Sequence, residues 1–102
     1  MSSWATHAIE KLNNGEVVQI RPRGNSMTGK VDDGDLVTLT PITESIQLDK
    51  GDVVLCRVKG LDYLHLIKAL SGDRYLIGNN KGGINGWVTR NSIFGKAIKV
   101  ER

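Results

Sequence analysis

Between residues 3 and 14 the apolar side chains recur at helical spacing, with Trp4, Ala8, Ile9 and Leu12 on one face. Ser3 stands where a cap would start such a helix and Gly15 where a stop would end it. One short amphipathic helix is therefore predicted. From Glu16 onward the period changes to short β-branched runs, at 17–20, 36–40, 53–58, 63–70, 75–77, 87–89 and 97–100, separated by Gly, Asp and Asn. That spacing predicts a compact all-β body over residues 16–102, following an N-terminal helix over 1–15, the whole making a single domain.

Two segments share a pattern: Asp33-Gly34-Asp35-Leu36-Val37 and Lys50-Gly51-Asp52-Val53-Val54 each run a Gly-Asp turn into a strand. This is repeated turn chemistry and not an internal repeat. The stretch from Gly78 to Gly86 is too polar and glycine-rich for regular structure and is expected to be a loop, either functional or simply a hairpin tip.

Composition narrows the field. The longest apolar stretches are far shorter than the roughly 20 residues of a membrane helix, and no basic-then-apolar segment opens the chain, so a soluble, cytoplasmic protein without a membrane anchor is expected. Cys56 is the only cysteine, which excludes an internal disulfide; with only His7 and His65 beside it, no metal-ligand spacing exists. No metal or other cofactor is expected. A net charge of +3 permits weak attraction to anions and names no partner.

Arg23-Gly24-Asn25-Ser26-Met27 sets a serine after a breaker, where Gly24 and Asn25 can take positive φ and hold the hydroxyl at an exposed bend. Taken alone, such a serine is most simply a turn residue bonding its own backbone. A nucleophilic serine needs a base. The run Leu61-Asp62-Tyr63-Leu64-His65-Leu66-Ile67-Lys68-Ala69-Leu70 supplies a candidate, because strand alternation puts Leu64, Leu66, Lys68 and Leu70 on one face and Tyr63, His65, Ile67 and Ala69 on the other. Lys68 then projects from a row of leucines. A lysine that serves as base at neutral pH must lose about 3 pKa units, which burial away from carboxylates can supply; the bland alternative is an ammonium that snorkels to water. By the same alternation His65 lies opposite Lys68 and reads as a packing or surface residue. Cys56, inside an apolar run, reads as a small buried hydrophobe, and Trp4 and Trp87 as core or clamp residues.

Together the blocks resemble the serine–lysine peptidases, a superfamily that includes the LexA and UmuD type self-cleaving proteins and the type I signal peptidases. Gly24-Asn25-Ser26-Met27 with Val31-Asp32-Asp33-Gly34-Asp35-Leu36-Val37 is similar to the nucleophile block. Lys50-Gly51-Asp52-Val53-Val54 is similar to the element that follows it, and Leu66-Ile67-Lys68-Ala69-Leu70-Ser71-Gly72-Asp73 to the block bearing the general-base lysine. Gly78-Asn79-Asn80 and Ile93-Phe94-Gly95-Lys96-Ala97 resemble the closing segments of signal peptidases. The likeness runs in order over residues 20–100 and implies a mainly β, strongly bent antiparallel sheet or partly open barrel.

The resemblance implies a Ser/Lys dyad in a shallow cleft: Ser26 as nucleophile, Lys68 as general base, the Ser26 N–H and Asn25 as oxyanion donors, and Met27 beside the substrate. Some relatives of the signal peptidases use a histidine as base, but strand alternation sets His65 opposite Lys68 and ranks it behind the lysine. An extended protein or peptide substrate would pair with a strand edge. No Ala-Gly or Cys-Gly dipeptide precedes Ser26, so cleavage in trans is expected instead of self-cleavage. Two other readings stand beside it: a catalytically silent member of the fold that binds a partner protein, and a weak basic nucleic-acid binder prompted by Arg21, Arg23 and Lys30. The last ranks lowest, because the aromatic residues are scattered and do not form a stacking platform.

Overall fold

In the computed structural model, which describes residues 4–102, the helical period becomes α1 (Thr6–Asn13), packing Ala8, Ile9 and Leu12 inward. The expected cap, Ser3, lies outside the described residues. Of the two roles expected for Trp4, core or clamp, the core is excluded: it precedes the helix and is 57% exposed. Gly15 ends α1 in the left-handed region at φ +84°, its N–H donating to the Leu12 carbonyl while that of Glu16 donates to the Lys11 carbonyl, each at 3.0 Å. Those bonds satisfy carbonyls that the last helical turn would leave open.

Seven strands follow: β1 (Val18–Ile20), β2 (Leu36–Pro41), β3 (Val53–Val58), β4 (Leu61–Ser71), β5 (Arg74–Gly78), β6 (Ile84–Thr89) and β7 (Ile93–Glu101), with a short 3-10 turn at Arg90–Ser92. They form one antiparallel sheet in the order β1-β2-β7-β3-β4-β5-β6. The sheet is mainly hairpins, as short turn-separated runs predict, and it curls into a half-barrel. Gly86 of β6 comes back so close to β3 that a Cβ there would stand 3.4 Å from Val58 Cγ1.

Both faces of the central strands are covered, which is why β3 reads as an apolar run, interrupted only by the exposed Arg57, instead of an alternating one. Val53 and Leu55 join α1, β1, β2, Leu64 and Leu66 in one core; Val54, Cys56 and Val58 join Ile67, Ile77, Val88 and Ile93 in the other. The β3–β4 hairpin turns on two residues, Lys59 at φ 52° and Gly60 at φ 82°, the doubly left-handed geometry that matches strand twist.

The two Gly-Asp turns are built alike. Asp35 Oδ2 accepts the Asp32 N–H at 2.9 Å while the Asp35 N–H donates to the Asp32 carbonyl; Asp52 Oδ2 accepts the Asp49 N–H at 2.8 Å while the Asp52 N–H donates to the Asp49 carbonyl. The polar stretch 78–86 is more ordered than expected. β5 runs to Gly78 and β6 starts at Ile84, leaving only residues 79–83 as loop.

Two register shifts matter for function. Ile67 pairs with Ile77 but Ala69 with Leu76, so Lys68 is an extra residue on β4; Ile77 pairs with Gly86 but Gly78 with Ile84, so Asn85 is an extra residue on β6. A bulged residue is left out of the ladder and its side chain is re-aimed.

Candidate functional site

The connection from β1 to β2 carries Ser26. Gly24 adopts φ +112° and its N–H donates to Asp33 Oδ1 at 2.8 Å, while Asn25, expected to share positive φ, does not. After Ser26 the chain makes a single helical turn in which Lys30 and Val31 donate to the Met27 carbonyl at 2.9 and 2.8 Å. Met27 and Val31 are buried in the core. They anchor the loop and leave Ser26 and Asn25 exposed beside them.

The sheet offers Ser26 an open edge. β4 pairs with β3 over residues 61–66, but the β5 partners begin only at Leu66, so β5 does not cover Tyr63, Leu64 or His65. There Ser26 Oγ lies 3.2 Å from His65 Nε2, and His65 Nδ1 lies 2.7 Å from Asn85 Oδ1. A carboxamide oxygen only accepts, so Nδ1 carries the proton and Nε2 presents its lone pair to the serine hydroxyl. The ring is further held by Tyr63, stacked at 4.8 Å between centroids with planes 29° apart.

Burial pushes the His65 pKa below the ordinary value of 6.5, outweighing the upward pull of the Asn85 hydrogen bond. Both effects follow from position: only 8% of the residue is exposed, and a buried imidazole resists taking charge. Burial thus favours the neutral ring, the form that accepts a proton. Serine, histidine and an orienting third group within hydrogen-bond reach form the arrangement that activates a hydroxyl.

Lys68 makes no hydrogen bond with Ser26. Its ammonium donates to the Asn79 carbonyl at 3.0 Å, under the β5–β6 loop. Strand alternation holds as far as Ile67 and fails at Lys68 itself, because the bulge removes that residue from the row of leucines. Leu64 and Leu66 do share a face, as predicted, in the core with α1. Thus Ser26 is where the sequence places it, Asn25 and Met27 flank it, and the side chain at its hydroxyl is His65.

The sequence ranks His65 first as a packing or surface residue and assigns Asn85 no role. Alternation put His65 on the correct strand face, opposite the leucines. What it could not give is which face the serine loop approaches, since that depends on where β5 starts. The Asn85 signal was weaker still, one amide in a glycine-rich stretch read as irregular.

A cleft of about 650 Å³ opens beside the pair. Ile20, Met27, Val31 and Leu64 give it an apolar floor, Trp4 stands at its side, and Ser26 and His65 lie in its lining. Its charged lining is mostly committed elsewhere. Asp62 pairs with Arg57 at 2.7 Å, Arg21 donates to the Gly34 carbonyl at 2.9 Å, and Asp32 accepts from the Gly29 N–H at 3.1 Å. Among the described residues no group of histidine, cysteine or carboxylate side chains is arranged to hold a metal ion.

A half-barrel of antiparallel strands, with a serine on the β1–β2 connection meeting the uncovered edge of a central strand, defines a peptidase-fold protein of the mainly β kind. The sequence as a whole points to the same place: residues 3–98 match the family model of Peptidase S24-like proteins, and the chain belongs to that family. The match covers nearly the whole chain and agrees with the resemblance to the LexA and UmuD type superfamily. No curated protein matches the chain at significant similarity. Among the described residues no helix is long and apolar enough to cross a membrane.

Proposed function

We propose that this protein is a serine peptidase in which Ser26 is the nucleophile, His65 the general base and Asn85 the residue that orients the base. The observation that carries the reading is the chain of contacts from Ser26 Oγ to His65 Nε2 at 3.2 Å and from Nδ1 to Asn85 Oδ1 at 2.7 Å. It differs from the Ser/Lys dyad that the resemblance implies, since Lys68 is bonded to a loop carbonyl.

In this reading an extended peptide lies in the cleft and sets a carbonyl carbon against Ser26 Oγ. The hydroxyl proton passes to Nε2 as the C–O bond forms, leaving an oxyanion that the Ser26 backbone N–H, with Asn25 as a second donor, would stabilise. The imidazolium gives its proton to the departing amine as the C–N bond breaks. Water then attacks the acyl-enzyme with His65 again as base, releasing the acid and restoring the serine. Asn85 holds the tautomer with the proton on Nδ1, without which Nε2 could not accept. The substrate is a protein or peptide supplied in trans, and apolar side chains suit the cleft floor.

The experiment combines hydrolysis of a mixed peptide library with labelling by a fluorophosphonate. Wild type is expected to cleave and to label, Lys68→Ala to do both at a reduced rate, and Ser26→Ala and His65→Ala to do neither. Activity that survives His65→Ala and disappears with Lys68→Ala would return the base role to the lysine. No cleavage or labelling by wild type would leave the silent, partner-binding reading in its place.

A further inference from the structure

The Ser26 loop is fastened mostly to itself. Among the described residues its hydrogen bonds stay within positions 21–35, with three exceptions: the contact with His65 and two bonds from Asn80, across the β5–β6 loop. The Asn80 N–H donates to the Ser26 carbonyl at 3.0 Å, and its side-chain Nδ2 donates to the Thr28 carbonyl at 2.8 Å. The amide lies so close that a Cβ on Gly29 would stand 3.2 Å from Nδ2. Asn80 therefore spans the whole turn that carries the hydroxyl.

The loop bearing Asn80 is itself held from three sides. Asn79 Oδ1 accepts the N–H groups of Lys81 and Gly83, each at 2.8 Å, the Asn79 N–H donates to the Gly83 carbonyl at 2.9 Å, and Lys68 Nζ donates to the Asn79 carbonyl at 3.0 Å. Two residues beyond Gly83 comes Asn85, which orients His65. A single short loop thus meets the nucleophile on one side and leads into the residue that orients the base on the other.

We propose that Asn80 is a positioning residue for the nucleophile, bracing the Ser26 turn against the sheet, and that Lys68 serves that brace as its tether to β4. The proposal rests on the catalytic reading given above and adds to it what holds the hydroxyl in place. It also gives Lys68 an assignment that requires no proton transfer: an ammonium donating to a loop carbonyl at the bulge where β4 departs from its ladder. Misplacing a reacting group by about 1 Å costs on the order of 100-fold in rate, so a brace at the nucleophile is where a small movement matters.

The test uses the full chain and a small fluorophosphonate. Ser26 Oγ attacks phosphorus, fluoride leaves, and the hydroxyl proton passes to His65, so the labelling rate reports nucleophile placement with few contacts from the rest of the cleft. Asn80→Ala, which removes the Thr28 bond and leaves the main-chain bond, is expected to label about 10- to 100-fold more slowly than wild type. The midpoint of its pH–rate profile is expected to stay at the wild-type value, because the His65–Asn85 contact is untouched. Lys68→Met, which loosens the loop without altering Asn80, is expected to slow labelling in the same direction and again without a shifted midpoint. A wild-type rate in both folded variants, or a moved midpoint in either, overturns the proposal while leaving the catalytic reading intact. A wild type that labels no faster than Ser26→Ala removes the catalytic reading and the brace with it.

Discussion

Asn85→Asp is the substitution that interrogates the site most sharply. The exchange is nearly isosteric and puts a carboxylate oxygen where Oδ1 now sits, 2.7 Å from His65 Nδ1. A unit charge pair about 4 Å apart at an effective dielectric near 20 is worth about 4 kcal/mol. Part of that is lost in desolvating the new carboxylate at a half-buried position, so the net gain for the imidazolium is smaller. With 1.36 kcal/mol to the pKa unit, and with opposite charges at this range moving a neighbour by roughly 1–3 units, the His65 pKa should rise by more than one unit relative to wild type.

The direction of the effect on rate follows from which form works. A general base must be neutral, so activity climbs as pH rises through the His65 pKa. Wild type, with that pKa held below 6.5 by burial, should have the midpoint of its acid limb below pH 6.5. In Asn85→Asp the limb should move toward alkaline pH, leaving the variant weakened at pH 6 and close to wild type at pH 8.5. The assay is the pH dependence of fluorophosphonate labelling, with the His65 ring resonances followed by NMR over the same range. If the limb and the ring titration both stay within a few tenths of a unit of wild type, Asn85 does not touch the ring in the working protein and the orienting role is refuted.

The same histidine makes stability pH-dependent: its folded pKa is depressed, so its contribution is complete above 6.5 and is lost as pH falls through the folded value, and urea midpoints should drop between pH 7 and 5 less in His65→Gln than in wild type. Gly78→Ala should destabilise strongly, because the new Cβ would stand 2.3 Å from the Gly83 carbonyl oxygen, with Lys68 Cγ at 3.0 Å on another side; a melting temperature within a degree of wild type would contradict the closure of the β5–β6 loop. Gly95→Ala places a methyl 2.8 Å from Leu12 Cδ1 between β7 and α1 and should cost about 1–3 kcal/mol in urea unfolding, the usual range for overpacking. Cys56, its thiol pushed up to about 12 chiefly by burial, should resist iodoacetamide at pH 8 in the native state and react on unfolding.

How far the sequence could be read depends on the distance over which each feature is determined. α1, the strands and the paired Gly-Asp turns are set by neighbours within a few residues, through period, chain reversal at glycine and carboxylates that bond nearby N–H groups, and those were legible. Ser26 was legible for the same reason: the chain around it supplies its bend, and the buried Met27 and Val31 next to it supply its anchor. The contact with His65, the base proposed above, was not, because it is decided by three non-local facts. β5 begins pairing only at Leu66, which leaves His65 at an open edge; an extra residue at 68 takes the lysine out of its alternating row; another at 85 re-aims an amide toward the ring. Each bulge is invisible to a period-2 argument, since that argument assumes the ladder it is used to predict. Lys68 and His65 were thus separated by a single slip in register, and the two residues part in chemistry as well as place. An imidazole needs only modest burial to be neutral at pH 7, whereas an ammonium needs a far larger shift. A half-covered strand edge supplies the former, so the open edge and the kind of base proposed for it are consistent with one another.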